Sequence, residues 1–545
     1  MDFLTLQEKL QAKQCPRWSD RQRKLHAYNL VQNYAFYELL DGIKDFDERY
    51  DAQDKYRPLS ERRSAAEYRL ANIIARDVVA MLFGEGKFPA ILFENEADTD
   101  GARELIRVAK LESLLNTAAT QAACGAVALI PEIFDDNGTK RLFIDIWDAW
   151  ECEPVFLRMQ PGKLQSIART WLVKREDLAA DGYNVAALEA KWTKKLEGQT
   201  STEKQTFQKW YIRREINENE SLWFQPVPQK VYEKKDWNEW EKDADSTDGA
   251  GNAVPGRSVE HKLGICPARW VAPLSRPGAI VGPCIFDGAI TNEFLVERIA
   301  SVGAQAVVTA GQPILATATG TGDTGLQEDL NGTDGYPKND KNARIGPEDV
   351  IEVPEKDGAW LVQLDAGAVT PMDVLILRLR SLSLENCGGS RITEESLAGA
   401  KSGYAMELLN QALTYVAGAM RPSWADAIVD LLILIAEMIE KFGGGIEGVK
   451  KPLSSAAQWK SISWGPWYEP SGQDLHFYVQ ATASAVEAGL IDSDTAIANV
   501  GPLYDVVDID GMKTKIKAEQ QQQADEQHQQ ALELKTAGPA PAATK

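Results

Sequence analysis

The sequence predicts a multidomain α+β protein, and three observations carry that expectation. The chain is 545 residues long, well beyond a typical single domain. In its first part, stretches with helical periodicity come before stretches whose apolar residues alternate around polar turns, the order expected of helices packed on antiparallel sheet. In its second part a Gly-rich run, "LAGAKSGYAMELL", opens onto an apolar helical pattern that continues through Ile439.

From Ser60 to Phe83, Leu70, Ile73, Ile74, Val78, Met81 and Leu82 fall on one helical stripe, and Gly84 supplies the stop. "KFPAILFE" reads as a strand, and a second helix is expected over roughly Asp100 to Leu115. "AVALIPEIF" and "RLFIDIWD" flank Asp136-Asn137-Gly138-Thr139, a strong hairpin signal because Asn-Gly accepts the positive φ angles of a two-residue turn. "KWYIRREI" and "SLWFQPV" form a second hairpin across the polar run Asn217 to Glu220. Lys230 to Ser258 is charged and Gly/Asp-rich, an exposed excursion that Trp237 and Trp240 pin back.

From Asp287 to Ala310, Ile290, Phe294, Ile299, Val302 and Ala306 mark a helix that Pro313 ends. "PILATATG" is a strand, Gly320 to Gly346 a polar loop, and "DVIEVPEKDGAWLVQLD" a strand, turn and strand around Lys356-Asp357-Gly358. "MDVLILRLRSLSLEN" is ambiguous: Leu375, Leu377 and Leu379 alternate with Arg378 and Arg380 as in a strand, yet the length suits a helix. After the Gly-rich run, Ala405, Leu408, Leu409, Ala412, Leu413, Val416 and Met420 follow helical spacing, which resumes at Trp424 and stops at Gly443-Gly444-Gly445. Pro422 lacks a backbone donor and is expected to kink that helix. A helix follows from Asp474 to about Ala488, then a turn and short helix in "GLIDSDTAIANVG" and a Gln-rich tail.

Composition narrows the function. The 44% hydrophobic and 26% charged contents are globular, and no run of eighteen uncharged apolar residues exists, so no membrane partner is expected. The opening "MDFLTLQEKLQAK" has no basic region before an apolar core, which predicts no secretory leader. Six cysteines stand singly with no CxxC pair, giving an expectation of reduced thiols, and four scattered histidines lack HExxH spacing. Gly86-Lys87 and Gly162-Lys163 are followed by Phe and Leu, so there is no Walker A motif. The GxGxxG at Gly320, Gly322 and Gly325 runs into a polar loop where a dinucleotide site needs a helix. Asp329 to Gly335 misses the fifth and sixth positions of a calcium loop. No catalytic set, metal site or cofactor is predicted. The net charge of −21 disfavours tight DNA wrapping, which relies on Lys and Arg, but suits a surface past which DNA slides.

The order of elements, with particular motifs, resembles the portal proteins of tailed bacteriophages. The resemblance is organisational over Ser60 to Glu519 and most specific in "LAGAKSGYAMELL", in "WGPWYEPSGQDLHFYVQATASAVEAGLIDSDTAIANV", and more weakly in "NIIARDVVAMLFGEGKFPAIL". It implies a non-enzymatic ring, typically of twelve subunits, at one capsid vertex of the virion, assembled in the host cytoplasm. The genome would be packaged and ejected through the ring, with transient, non-specific contact to double-stranded DNA. The implied partners are the packaging ATPase (terminase), the major capsid protein, scaffold and the head-tail adaptor. The implied parts are an α+β wing at 1–285, a stem helix at 286–311, a clip at 312–371 and a returning stem helix at 372–387. A tunnel loop at 388–403, a long kinked wing helix at 404–453, a helical crown at 454–520 and a flexible tail at 521–545 complete the set.

In that arrangement Arg391, Gly399, Lys401, Ser402 and Gly403 belong to a loop facing DNA, with Gly399 and Gly403 as hinges and Arg391 and Lys401 offered to phosphates. Arg378 and Arg380 would line the channel or form intersubunit ion pairs. Residues 311–370 hold eleven acidic and four basic residues, net −7, so a ring would concentrate negative charge at one end. Two other classes fit less of the pattern: another virion ring, adaptor or minor capsid protein, and a metal-dependent nuclease whose carboxylates the sequence does not single out.

Overall fold

A computed structural model of the chain describes residues 7–8, 15–36, 66–136, 139–197, 206–234, most of 239–311, three strands within 312–368, then 369–388, most of 407–442, 445–468, 472–504 and parts of 511–529. The fold mixes helices with strands that pair antiparallel in every described case but one, consistent with α+β. The chain divides into two compact units: one holds 1–13, 30–73 and 286–387, the other 14–29, 74–285 and 388–545.

In the larger unit the Asn-Gly signal has its expected consequence. Strands Val127–Asp136 and Thr139–Asp148 pair in continuous register from Val127↔Asp148 to Asp136↔Thr139, and Arg269–Val271 adds to the free edge of the first. A six-stranded sheet is built on Gln160–Lys174 and Lys209–Asn217, with Cys152–Leu157 at one edge and Glu220–Trp223 and Val259–Glu260 at the other. One face of this sheet packs under helices Arg175–Ala180 and Val185–Glu197 through Trp210, Ile212, Leu178 and Trp192. Trp240 joins that core and its ring lies against Tyr232 and Phe224, while Trp237 lies outside the described residues.

Two helix expectations are corrected. The helix expected over Asp100 to Leu115 is two helices, Glu96–Val108 and Leu111–Ala122, parted at Lys110 in the left-handed region with φ 51°. Asn95 caps the first, its side chain accepting the Ala97 N–H, and Gly101 faces the 451–453 backbone so closely that no Cβ fits. The helix expected from Ser60 begins at Leu70: residues 66–69 are not helical, Arg69 has φ 49°, and residues 60–65 lie outside the described residues. Burial of the starting N–H groups against carboxylates of another segment sets that boundary, as described below.

The long helix runs from Gln411 to Phe442 as one element through Pro422, burying Leu413, Ala417, Met420, Trp424, Ile428, Leu431, Leu432, Ile435 and Ile439. Strand Trp459–Ser463, which the sequence does not announce, pairs with Ala90–Phe93. Helix Gly472–Glu487 and helix Ser493–Val500 follow, the latter capped by Asp492 through the Thr495 N–H. All six cysteines are buried, and none is in a disulfide.

Candidate functional site

The smaller unit is built around a helical hairpin. The outgoing helix, Ile290–Gly311, follows a single 3-10 turn at Asp287–Ala289, and the ambiguous "MDVLILRLRSLSLEN" is the returning helix, Val369–Cys387. Three contacts share one antiparallel register. Gly288 lies so near Asn386 and Cys387 that an added Cβ would be 3.4 and 3.5 Å from them. Asn292 Nδ2 donates to Ser383 Oγ at 3.0 Å, and Gly303 faces Met372 Sδ. Met372, Ile376, Leu379, Ser383 and Cys387 therefore form the inward stripe, spaced by fours and threes as a helix requires. The alternation of Leu375 and Leu377 with arginines is no strand signal, because both leucines point to water.

That outward face is the unusual feature. Val374, Leu375, Leu377 and Leu382 are exposed on the returning helix, Val374 and Leu377 by more than 60%, and Leu295 and Val307 on the outgoing one. Arg378 and Arg380 are exposed among these leucines. Between the helices, strand Ile314–Ala318 takes Ile351–Val353 parallel on one side and Ala359–Val362 antiparallel on the other. The two later strands thus flank the first and do not pair with each other.

The base of the hairpin holds two carboxylates the sequence reading passed over. Glu293 and Glu297, one turn apart on the outgoing helix, are both fully buried beside Phe294, whose ring meets Phe36 edge-on at 5.1 Å. Glu293 Oε2 accepts the Ala71 N–H at 3.0 Å and Glu297 Oε1 accepts the Tyr68 N–H at 3.2 Å. Glu293 satisfies an orphan donor in the first turn of the helix beginning at Leu70, where the helix dipole favours an acceptor, and Glu297 takes an amide of the segment leading into it. The second oxygen of Glu293, Oε1, is buried with no hydrogen-bond partner among the described residues. Burial, reinforced by the Glu297 charge, pushes the Glu293 carboxyl up to about 8 despite the Ala71 and Leu70 amides. Burial raises Glu297 to about 7, offset in part by the Tyr68 amide and the Tyr34 hydroxyl. The only local sign in the sequence is a Glu-x-x-x-Glu inside the apolar run "ITNEFLVERIA".

Of the residues the sequence singles out, Arg378 and Arg380 are both exposed on the returning helix, on different sides of it because they are two residues apart. Arg391, Gly399, Lys401, Ser402 and Gly403 lie outside the described residues, as do the Gly320 and Asp329 loops. Pro422 sits inside the long helix, within the larger unit. Beside it, the Arg421 guanidinium is stacked 3.3 Å from the Trp467 ring centroid and 5.1 Å from that of Trp464, and donates to the Gly465 carbonyl. The "WGPW" motif is thus a clamp on the residue before the proline, and Trp467 also covers Gly418, whose carbonyl Pro422 leaves without its usual intrahelical donor. Burial lowers the Arg421 pKa to about 10.

A second stack that the sequence does not reveal lies on the six-stranded sheet. Arg169 and Arg214 face each other across adjacent strands. Arg169 lies over Trp171 and Trp147, and Arg214 over Trp223 and Trp147. Each is neutralised, Arg169 by Glu151 at 2.7 Å and Arg214 by Glu132. Among the described residues no group of three or more His, Cys, Asp or Glu side chains could hold a metal, and no helix is long and apolar enough to cross a membrane. The sequence matches no protein-family model and shows no significant similarity to a curated protein.

Proposed function

We propose that the chain is a portal protein of a tailed bacteriophage, a ring subunit of a DNA channel at one capsid vertex. The observation that carries the reading is the smaller unit: an antiparallel helical hairpin, whose connecting segment holds a small three-stranded sheet, with leucines and arginines exposed on the returning helix. Four apolar side chains on one face of the returning helix stand in water in a single subunit, which is unfavourable at about 25 cal/mol for each Å² left uncovered. A neighbouring copy in a ring would cover them. Arg378 and Arg380 then either pair with the neighbour's carboxylates or face the channel.

The chain order adds support. After the hairpin come the Gly-rich run with Lys401 and then the long helix, the sequence of parts the resemblance leads one to expect. In this reading the wing, clip and crown dock the capsid protein, packaging ATPase and head-tail adaptor, and the acidic channel lets DNA pass without holding it. The chain then acts as a conduit and not as an enzyme.

Native mass spectrometry with negative-stain imaging of the purified protein tests this. A ring of about twelve copies with a central hole is expected; a monomer, or a solid shell, refutes it. Deleting 399–403 should leave ring formation intact while impairing packaging or DNA retention. Loss of assembly with no separable packaging defect would assign that stretch a purely structural role.

A further inference from the structure

The larger unit contains an open cleft of about 890 Å³ that the proposed channel does not use. Its volume lies within the range of ligand-binding pockets. It lies between the segment that leaves helix Leu70–Phe83 and the paired helices Glu96–Val108 and Leu111–Ala122. The floor is apolar, made by Phe83, Phe88 and Ile106. One wall is basic: Arg103, Arg107 and Lys110 are spaced four and three residues apart, so they rise along a single face.

Two of these cations have capacity to spare. Lys110 forms no ion pair among the described residues, and Arg107 makes one hydrogen bond, to the Gly448 carbonyl at 3.3 Å. Arg103 shares Asp100 with Lys451. The helix starting at Leu111 has no side-chain cap, and its first turn borders the same cleft, adding partial positive charge. Against these stand Glu85 on the facing loop and Glu112 in that first turn. In a chain of net charge −21, a cation-lined wall over an aromatic floor is a local reversal of sign.

We propose that this cleft binds an acidic peptide segment of a partner protein, seating an aromatic or aliphatic side chain on Phe83, Phe88 and Ile106 while its carboxylates pair with Arg107 and Lys110. An apolar anchor within a rim of complementary charge is the usual anatomy of a peptide site. A nucleic acid suits it less well, because the floor is apolar and Glu85 faces the basic wall.

The inference is independent of the portal reading and is tested on the full chain by fluorescence anisotropy. The probes are a fluorescein-labelled peptide of alternating Glu and Phe, the same peptide with Lys for Glu, and a short labelled DNA duplex. Saturable binding of the Glu/Phe peptide alone is expected, weakened roughly tenfold or more by Arg107→Glu or Lys110→Glu and by high salt, and separately by Phe88→Ala. Glu85→Gln should tighten it. Both charge reversals are on exposed side chains and should preserve the melting temperature, which is measured alongside. No saturable binding, or binding indifferent to both reversals, overturns the proposal. So does a duplex that binds with the same sensitivity to those two changes.

Discussion

Replacing Glu293 by Gln should make the smaller unit more stable in alkaline solution and change it little in acid. The carboxyl has a folded-state pKa of about 8 against an ordinary 4.5, so the folded chain holds its proton more tightly than the unfolded chain does. Its contribution to stability is then fully present below pH 4.5 and is lost as pH rises through about 8. That gap corresponds to on the order of 5 kcal/mol if Glu293 acted alone. Because Glu297 titrates beside it, roughly 2–4 kcal/mol is the expected share of one residue. Gln mimics the protonated acid and keeps an oxygen for the Ala71 N–H, so the variant lacks this pH dependence. Thermal melts from pH 5 to 9 should show the two proteins close together at pH 5 and diverging as pH rises, the variant melting higher by roughly 2–4 °C for each kcal/mol. A constant difference across that range, or a gap that widens in acid, would refute the assignment of a buried, proton-holding carboxyl.

Three further outcomes are expected. Gly388→Ala places a Cβ 2.5 Å from Val416 Cγ2 and 2.9 Å from the Ala412 carbonyl at a residue whose φ is +69°, so it should cost roughly 2–5 kcal/mol in urea unfolding. Arg421→Ala removes the cation between Trp464 and Trp467 and should cost roughly 1–2 kcal/mol, with a red shift in tryptophan emission as those rings meet water. Arg214→Ala leaves the largely buried Glu132 unpaired and should cost roughly 3–5 kcal/mol, whereas Glu132→Gln combined with Arg214→Met should recover part of the loss; equal losses in the single and double variants would count against the ion pair.

Local chemistry was legible wherever it alone decides the outcome. Asn137-Gly138 between alternating strands announced the register that ends at Asp136↔Thr139, and the apolar stripe from Leu413 to Ile439 announced the long helix. Isolated cysteines without CxxC spacing fit six buried thiols outside disulfides. The outgoing helix was read within a residue or so of its end, because Pro313 cannot continue it.

What the sequence left open depended on partners far along the chain. "MDVLILRLRSLSLEN" is a helix because Asn292, Gly288 and Gly303 meet Ser383, Cys387 and Met372 in one register, and of the leucines whose alternation mimicked a strand only Leu379 turns inward while Leu375 and Leu377 are exposed. Helix Leu70–Phe83 starts where Glu293, more than two hundred residues away, accepts the Ala71 N–H and Glu297 holds the Tyr68 amide just before it, a boundary no local propensity encodes. Strands Ile351–Val353 and Ala359–Val362 were visible as strands, but which edge each would take was set by Ile314–Ala318 lying between them. Arg421 and the "WGPW" motif were both conspicuous, yet their union is a tertiary contact. The sequence by itself determined periodicity, turns and charge, because those are properties of neighbouring residues. Tertiary structure decided element boundaries, strand neighbours and the protonation of buried groups, because those depend on which distant surfaces exclude water together.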